Sequence, residues 1–208
     1  MTYYALRSTR DSTVLYEGHF HSFVACLEQA VREKTPLPSL DLSHKNLSNA
    51  MLDDAILPYA DLRHTNLTGT NLSESDLKEA NFEGATLYNT CLALSNLTAC
   101  NFENASFGAT DIHNTILSHA RFSTLSCFSL DFTHTRRMEH CEFITPDGQI
   151  CKMSRPPIVI RGLGKAPLIL LDDTVRAGHN RLDQHRLTAL APKLSLREVR
   201  RRLSCHKS

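Results

Sequence analysis

An apolar residue returns at every fifth position from Leu42 to Phe132, and this period constrains the fold more than any other sequence feature. The series holds nineteen consecutive quintets, centred on Leu42, Leu47, Leu52, Leu57, Leu62, Leu67, Leu72, Leu77, Phe82, Leu87, Leu92, Leu97, Phe102, Phe107, Ile112, Leu117, Phe122, Cys127 and Phe132. A period of five fits neither a helix of 3.6 residues per turn nor a strand with a two-residue alternation. It therefore predicts a repeat architecture, in which stacked units share one continuous core.

Two more positions of each quintet follow a pattern. The residue two before the centre is mostly small, as at Ala50, Thr65 and Ser75, and the residue one before it is Asp or Asn in eleven of the nineteen quintets. The quintets "YADLR", "EANFE" and "GTNLS" resemble those of the pentapeptide-repeat family, which read roughly Ala-(Asp/Asn)-Leu-X-X. The resemblance covers 95 of the 208 residues. It implies a right-handed quadrilateral β-helix with four quintets per coil, in which the central and small residues point inward.

Twenty residues per coil would place each residue above the one twenty positions earlier. The Asp and Asn positions then form four columns, which begin at Asp41, Asn46, Met51 and Ile56. We expect most of these side chains to bond to neighbouring backbone groups in the turns. A second interpretation is an array of carboxylates that contacts a partner. Its predicted members are Asp53, Asp54, Asp61, Glu74, Asp76, Glu83 and Glu103.

The segment before the repeats, 1–39, is predicted to be an N-terminal hairpin and a capping helix. The β-rich runs "YYALRS" and "TVLYEG" are separated by the turn-like stretch Thr9–Ser12. Ser22 is a candidate N-cap for a helix that runs to about Glu33, and the prolines that follow end it. Such a helix would cover the first coil, whose open end would otherwise expose apolar side chains and strand edges.

The repeats are predicted to span 40–145, with an extension over 146–208. After Phe132 the period slips by one residue, as though Arg136 were inserted, and then continues at Met138 and Phe143. The runs "PPIVIRGL" and "APLILLDD" predict a second hairpin joined through 162–165. A capping box of Ser195 and Glu198 opens a helix that runs to about residue 205. The predicted fold is therefore all-β-dominated, with a helical cap and a small C-terminal α+β extension.

Charge is divided unevenly along the chain, although the net charge is only +1. Residues 40–134 carry four basic and eleven acidic residues, a net of −7, whereas 135–208 carry fifteen basic and seven acidic, a net of +8. The seven irregularly spaced cysteines favour a reducing cytoplasm. We see neither a secretory signal at the N-terminus nor an apolar run that could span a membrane.

Motifs for catalysis are absent from the sequence, which has no glycine-rich phosphate loop, G-x-S-x-G, HExxH or CxxC. We therefore expect no enzymatic activity, no cofactor and no metal. Three groups contain residue types that could carry chemistry, but solvated, turn or surface roles explain them better. They are the stacked pair His44 and His64, the set His140, Cys141 and Cys151, and the polar set Asp172, Asp173, His179, Asp183 and His185.

The leading functional hypothesis is a non-catalytic protein-binding module. The resemblance implies a sharper form of it, because some family members are DNA-mimicking proteins that bind type II topoisomerases. The alternative is a nucleic-acid- or nucleotide-binding protein, in the setting of phage counter-defence, that uses the basic tail. The tail residues in question are Arg197, Arg200, Arg201 and Arg202. They also suit a homodimer contact through the C-terminal region. An enzyme built on the C-terminal Asp and His residues is the third hypothesis.

Several outward positions of the repeat are apolar. These residues are Met51, Ile56, Tyr59, Tyr88, Leu94, Ile116 and Phe128. We expect the C-terminal segment to cover them, because a contiguous exposed apolar patch would otherwise mark an interaction site.

Overall fold

The computed structural model describes residues 1–123, 129–162, 165, 167–172, 174–177, 180–183, 185, 186 and 189. The chain begins with the antiparallel strands β1 (Thr2–Arg7) and β2 (Val14–Phe20), followed by helix α1 (Phe23–Arg32). The predicted N-terminal hairpin and helix are therefore confirmed. No described helix is both long and apolar enough to cross a membrane.

Helix α1 closes the first coil of the repeat. Ser22 is its N-cap, and the hydroxyl of Ser22 accepts a hydrogen bond from the backbone N–H of Ala25 at 3.0 Å. Its buried residues Cys26, Leu27, Ala30 and Val31 join the main core. On the same helix, the carboxylate of Glu28 accepts the backbone N–H of Met51 at 2.9 Å. The helix thus supplies both apolar cover and a bond for the first coil, as predicted.

Parallel bridges join residues twenty positions apart throughout the repeat. Four ladders begin with the pairs Asp41–Asp61, Asn46–Asn66, Met51–Asn71 and Ile56–Asp76, and further pairs at the same spacing extend them. Two ladders widen into short strands: β3 (Thr86–Tyr88) pairs with β5 (Ser106–Gly108), and β4 (Asn101–Phe102) pairs with β6 (Arg121–Ser123). The expected stacking of the four columns is confirmed as far as Arg121, Ser106, Asp111 and Ile116.

We name the surface of each ladder as a face. Face 1 comprises 40–44, 60–64, 80–84, 100–104 and 120–123. Face 2 comprises 45–49, 65–69, 85–89 and 105–109. Face 3 comprises 50–54, 70–74, 90–94, 110–114 and 130–134. Face 4 comprises 55–59, 75–79, 95–99 and 115–119.

The inward positions explain why the quintets stack. All described central residues from Leu42 to Phe132 are buried, as are most of the small residues two before them. A buried Thr or Ser at the small position donates its hydroxyl hydrogen to a carbonyl 23 residues earlier, as Thr65 does to Leu42 at 2.7 Å. Thr90 and Ser95 make the same bond, to Leu67 and Leu72. These three hydroxyls are therefore satisfied inside the core, as burial requires.

The coil geometry begins one quintet before the sequence repeat. The backbone N–H of Leu37 donates to the carbonyl of Ile56, and Ser39 donates to Pro58, as in the later quintets. Leu37 is fully buried, and Ser39 has the positive φ of 55° that marks the last position of most quintets. Thr35 stands at the small position of this quintet, but Pro36 replaces the usual Asp or Asn, so the sequence pattern does not mark it clearly.

The predicted one-residue slip is present. Ile116 pairs with Arg137, and Arg121 pairs with Glu142, at a spacing of 21 instead of twenty. The slip arises at the 3-10 turn Phe132–His134 and not at Arg136, because the backbone N–H of Asn114 already donates to the carbonyl of His134, twenty residues later instead of the usual nineteen. The parallel ladder then resumes in β7 (Cys141–Ile144).

The described part of the extension closes the far end of the coil. Strand β8 (Ile150–Met153) pairs with β7, and β9 (Ile158–Ile160), β10 (Leu168–Leu170), β11 (Val175–Ala177) and β12 (Asn180–Arg181) form a separate antiparallel sheet. The antiparallel pair β9–β10 confirms the second predicted hairpin. Met153, Ile169 and Leu171 join the main core. The predicted terminal helix, with Arg197, Arg200, Arg201 and Arg202, lies outside the described residues.

Candidate protein-binding faces of the coil

The Asp and Asn residues that precede the central positions have a structural role. All eleven accept a hydrogen bond from the backbone N–H two residues later, as Asp41 does from Ser43 at 3.0 Å. These bonds satisfy turn donors locally. Two of the predicted contact residues, Asp61 and Asp76, belong to this set. Asp76 also accepts from the side chain of Asn96 at 3.1 Å.

Face 1 contains its own counter-charges. Its four carboxylates, Asp41, Asp61, Glu83 and Glu103, share the face with Arg63 and Arg121. Arg63 donates to Asp61 through two nitrogens at 2.9 and 2.6 Å, and side-chain hydrogen bonding from Arg63 is the largest cause that lowers the pKa of Asp61. Arg121 pairs with Glu103 at 3.2 Å. Much of the acidity of face 1 is therefore neutralised within the coil.

Face 3 carries five carboxylates and neither Lys nor Arg. They are Asp53, Asp54, Glu74, Asp111 and Asp131. Asp54 pairs with Lys34 at 2.8 Å, and Asp111 and Asp131 lie near histidines. Asp53 and Glu74 are exposed, and no cation of the described chain pairs with either. Face 3 thus accounts for five of the seven net negative charges on 40–134.

The predicted contact residues are therefore divided among three faces. Asp53, Asp54 and Glu74 lie together on face 3, whereas Asp61, Glu83 and Glu103 lie on face 1 and Asp76 lies on face 4. The stacking rule could have grouped them in advance. It did not reveal which carboxylates are paired, because a neighbouring Arg can turn toward or away from its own coil.

Apolar side chains are exposed beside the carboxylates of face 3. Met51 is 57% exposed and Leu94 is 55% exposed, and Tyr59 and Tyr88 on adjoining faces are also exposed. The expectation that the C-terminal segment covers these four is wrong for the part of it that the structure describes, because that part caps the coil end. Ile56 and Ile116 are half-buried, and Phe128 lies outside the described residues.

Three histidine pairs stack between adjacent coils. The predicted pair, His44 and His64, has ring centroids 5.0 Å apart. The sequence did not reveal the other two, His113–His134 at 4.9 Å and His119–His140 at 5.2 Å, because both are 21 residues apart and cross the one-residue slip.

The other groups considered for chemistry do not converge. His140 is exposed, whereas Cys141 and Cys151 are buried in the core, and burial raises the pKa of the Cys141 thiol to about 12. Asp172 pairs with Arg155 and Asp183 accepts the backbone N–H of Arg186, which are turn and surface roles. Asp173 and His179 lie outside the described residues. No group of three or more His, Cys, Asp or Glu within the described chain could hold a metal ion.

Comparison with known families identifies the repeat. The model of the pentapeptide repeats matches with eight copies, over residues 39–69, 59–93 and 90–124. The segment 39–124 therefore consists of pentapeptide repeats, as the quintets predicted. No curated protein matches the chain at a significant level.

Solved structures of pentapeptide-repeat proteins are similar to this chain. A pentapeptide repeat protein from Nostoc Pcc 7120 is 26% identical over 47% of this chain and 76% of its own, with a TM-score of 0.40. One from the thylakoid lumen of Arabidopsis thaliana is 14% identical over 79% of this chain and 88% of its own, with a TM-score of 0.25. QnrB1, a plasmid-mediated fluoroquinolone resistance protein, is 22% identical over 51% of this chain and 64% of its own, with a TM-score of 0.24.

Proposed function

We propose that the coil is a non-catalytic protein-binding module whose contact surface is face 3. The observation that carries the proposal is the composition of that face, which combines five carboxylates, no Lys or Arg, and the exposed Met51 and Leu94. Carboxylates of one sign steer a basic partner and select against acidic ones, whereas apolar anchors supply affinity once they are desolvated.

Leu94 supports the proposal independently of charge. It has a φ of 65°, a conformation that costs an L-residue with a Cβ atom about 1–2 kcal/mol. Because its side chain is mostly exposed, burial in the free chain compensates little of that cost. A bulky apolar residue at such a position is explained if a partner buries it.

The partner that fits face 3 is a protein with a basic surface and an apolar recess. A surface that binds DNA has the required charge, so the finer proposal is inhibition or modulation of a DNA-acting enzyme, such as a type II topoisomerase. Successive coils would place carboxylates at intervals of about 4.8 Å along the axis. Phosphates of one DNA strand follow each other at about 3.4 Å of axial rise. Charge, more than register, is therefore the shared feature.

The experiment compares two variants with matched charge changes. The face 3 variant carries Asp53→Asn, Glu74→Gln and Leu94→Asn. The face 1 control carries Asp41→Asn and Glu83→Gln, which remove the same number of charges. Binding to a purified type II topoisomerase is measured by biolayer interferometry, with DNA supercoiling as the functional readout. The face 3 variant should bind at least about tenfold more weakly, because a lost anchor and two lost charges each cost about 1 kcal/mol or more. Equal losses in both variants would refute face 3 as the contact surface.

Two further outcomes concern the class of partner. Unimpaired supercoiling together with failure to bind would remove topoisomerase as the partner. Direct DNA binding with a steep salt dependence, lost on deletion of 193–208, would instead favour the nucleic-acid alternative. That alternative is supported by the net charge of +8 on 135–208.

The proposal also takes the coil to be the right-handed quadrilateral β-helix that the resemblance implies. The four ladders with a twenty-residue period support four sides. A crystal structure would establish the hand and the squareness of the coil.

A further inference from the structure

We propose that His113 and His134 form a two-imidazole binding site for a borderline divalent transition-metal ion, such as Ni²⁺ or Zn²⁺, at the C-terminal end of face 3. Their rings stack with centroids 4.9 Å apart and an angle of 21° between the planes. Both side chains are more than half exposed, so an ion can reach them. Neutral imidazole is the commonest protein ligand of such ions.

Hydrogen bonds determine which ring nitrogen of His113 has a lone pair that can bind a metal ion. Its Nδ1 lies 2.7 Å from a carboxylate oxygen of Asp111. Asp111 also accepts the backbone N–H of His113, which holds its carboxylate beside the ring. An ionised carboxylate only accepts hydrogen bonds, so Nδ1 must carry the proton. The lone pair of the neutral ring is then on Nε2.

The same reasoning applies to His134 through one intermediate group. The hydroxyl of Thr133 donates its single hydrogen to Asp131, so its oxygen can only accept from the Nδ1 of His134, which lies 2.9 Å away. Asp131 reinforces this arrangement, since its own carboxylate is 3.7 Å from the same Nδ1. His134 therefore also has its lone pair on Nε2.

The arrangement is the one that supports metal ligation. Histidines that bind metals usually donate their other N–H to a carboxylate or another oxygen, which fixes the tautomer and makes the ring a better ligand. A tetrahedral ion with Zn–N distances of about 2.1 Å needs its two nitrogens about 3.4 Å apart. The exposed rings must tilt toward each other from their present stacking to reach that spacing.

The other two stacked pairs provide an internal comparison. His44–His64 and His119–His140 have nearly the same ring separation. Within the described chain, no side-chain hydrogen bond fixes the tautomer of these four rings. The protein supplies two ligands at His113 and His134, since no third described ligand converges there. Water or a partner side chain must complete the coordination.

The test is calorimetric titration of the full chain with Ni²⁺ alone. We expect His113→Ala and His134→Ala each to weaken Ni²⁺ binding at least about 100-fold at this site. Asp111→Asn should weaken it about tenfold, because its effect is through the orientation and basicity of His113. His44→Ala and His119→Ala should leave the affinity unchanged. Circular dichroism verifies that each variant retains its fold. We expect the fold to be retained because both histidine rings are exposed.

Nitrogen-15 NMR of the histidine rings supplies a readout independent of affinity. Both His113 and His134 should show the Nδ1–H tautomer in the free protein, and Zn²⁺ should shift their Nε2 resonances. The proposal is overturned if either ring carries its proton on Nε2, if Ni²⁺ does not bind, or if binding survives the His113→Ala, His134→Ala double variant. Equal losses in the His44→Ala control would also overturn it.

Discussion

Faces 1 and 3 have nearly the same number of carboxylates, four and five, yet they present different surfaces. On face 1, Arg63 and Arg121 pair with carboxylates of the same or the adjacent coil. On face 3, the only cation of Lys or Arg type in an ion pair within the described chain is Lys34, which comes from the segment after α1. The number of acidic residues on a repeat face therefore does not by itself set the electrostatic potential of that face. Ion pairs within the face decide how much of the negative charge remains.

The two faces also cover different core columns. Beneath face 1, the rings of Phe82, Phe102, Phe122 and Phe143 stack in series with centroids 4.7, 5.2 and 5.5 Å apart. Beneath face 3, the column is mainly aliphatic and ends in Phe132. The two faces are therefore supported by core columns of different composition.

The largest predicted effect tests that difference in support. Phe102→Ala should lower the free energy of unfolding by about 3–5 kcal/mol, because it leaves a cavity within an aromatic stack. Leu92→Ala, the matched change beneath face 3, should cost about 3 kcal/mol. Chemical denaturation measures both. A loss at Leu92 that equals or exceeds the loss at Phe102 would remove the distinction between the columns.

The second prediction concerns the small inward positions, which are hydroxyl-bearing at Thr70, Thr90 and Thr110 on face 3 but apolar at Ala60 and Ala80 on face 1. Thr90→Val should cost about 1 kcal/mol, because the buried hydroxyl donates to the Leu67 carbonyl at 2.8 Å. Thr98→Val, which changes a half-buried hydroxyl on face 4, is the control and should cost less. If thermal unfolding shows the same loss of stability in both variants, the buried hydrogen bond contributes no more than the half-buried one.

The third prediction uses the lowered pKa of Asp61. A carboxyl whose pKa is lower in the folded state stabilises the fold above its unfolded pKa of about 3.9, and this contribution is lost as the pH falls through the folded pKa. Arg63→Gln should therefore reduce stability slightly at pH 7 and by less at pH 2. Lys78→Gln, which removes an exposed pair on face 4, should show a weaker dependence on pH. Denaturation curves at the two pH values measure this difference. A loss of stability in Arg63→Gln that is the same at both pH values would refute the role of the Asp61 carboxylate.

The smallest effect has the opposite sign. Leu94→Asn should raise the free energy of unfolding by a few tenths of a kcal/mol, because Asn tolerates a positive φ better than Leu does. The same change should weaken partner binding. Leu94→Ala has no polar side chain to bond the local backbone at this φ and should give no gain in stability. If Leu94→Asn destabilises the chain, Leu94 contributes to the fold and its value as evidence for a contact surface is lost.

The agreement between sequence and structure varies along the chain for identifiable reasons. The quintets from Leu42 onward were assigned from sequence, because each inward residue repeats the same environment twenty residues later. The quintet at Leu37 was missed, because Pro36 replaces the usual Asp or Asn. The exposure of Met51 and Leu94 was also missed, since the prediction assigned a cover to a segment whose described part caps the coil end.

By itself, the sequence determined the period, the inward residues, the four columns and the one-residue slip, because each follows from spacing along a single chain. Only the tertiary structure decided which carboxylates are neutralised and which are free. It also placed His134 over His113, where the twenty-residue rule would have placed Thr133. The physical reason is that ion pairs and ring contacts depend on side-chain rotamers and on the local turn, here the 3-10 turn at Phe132–His134, which a repeat pattern does not specify.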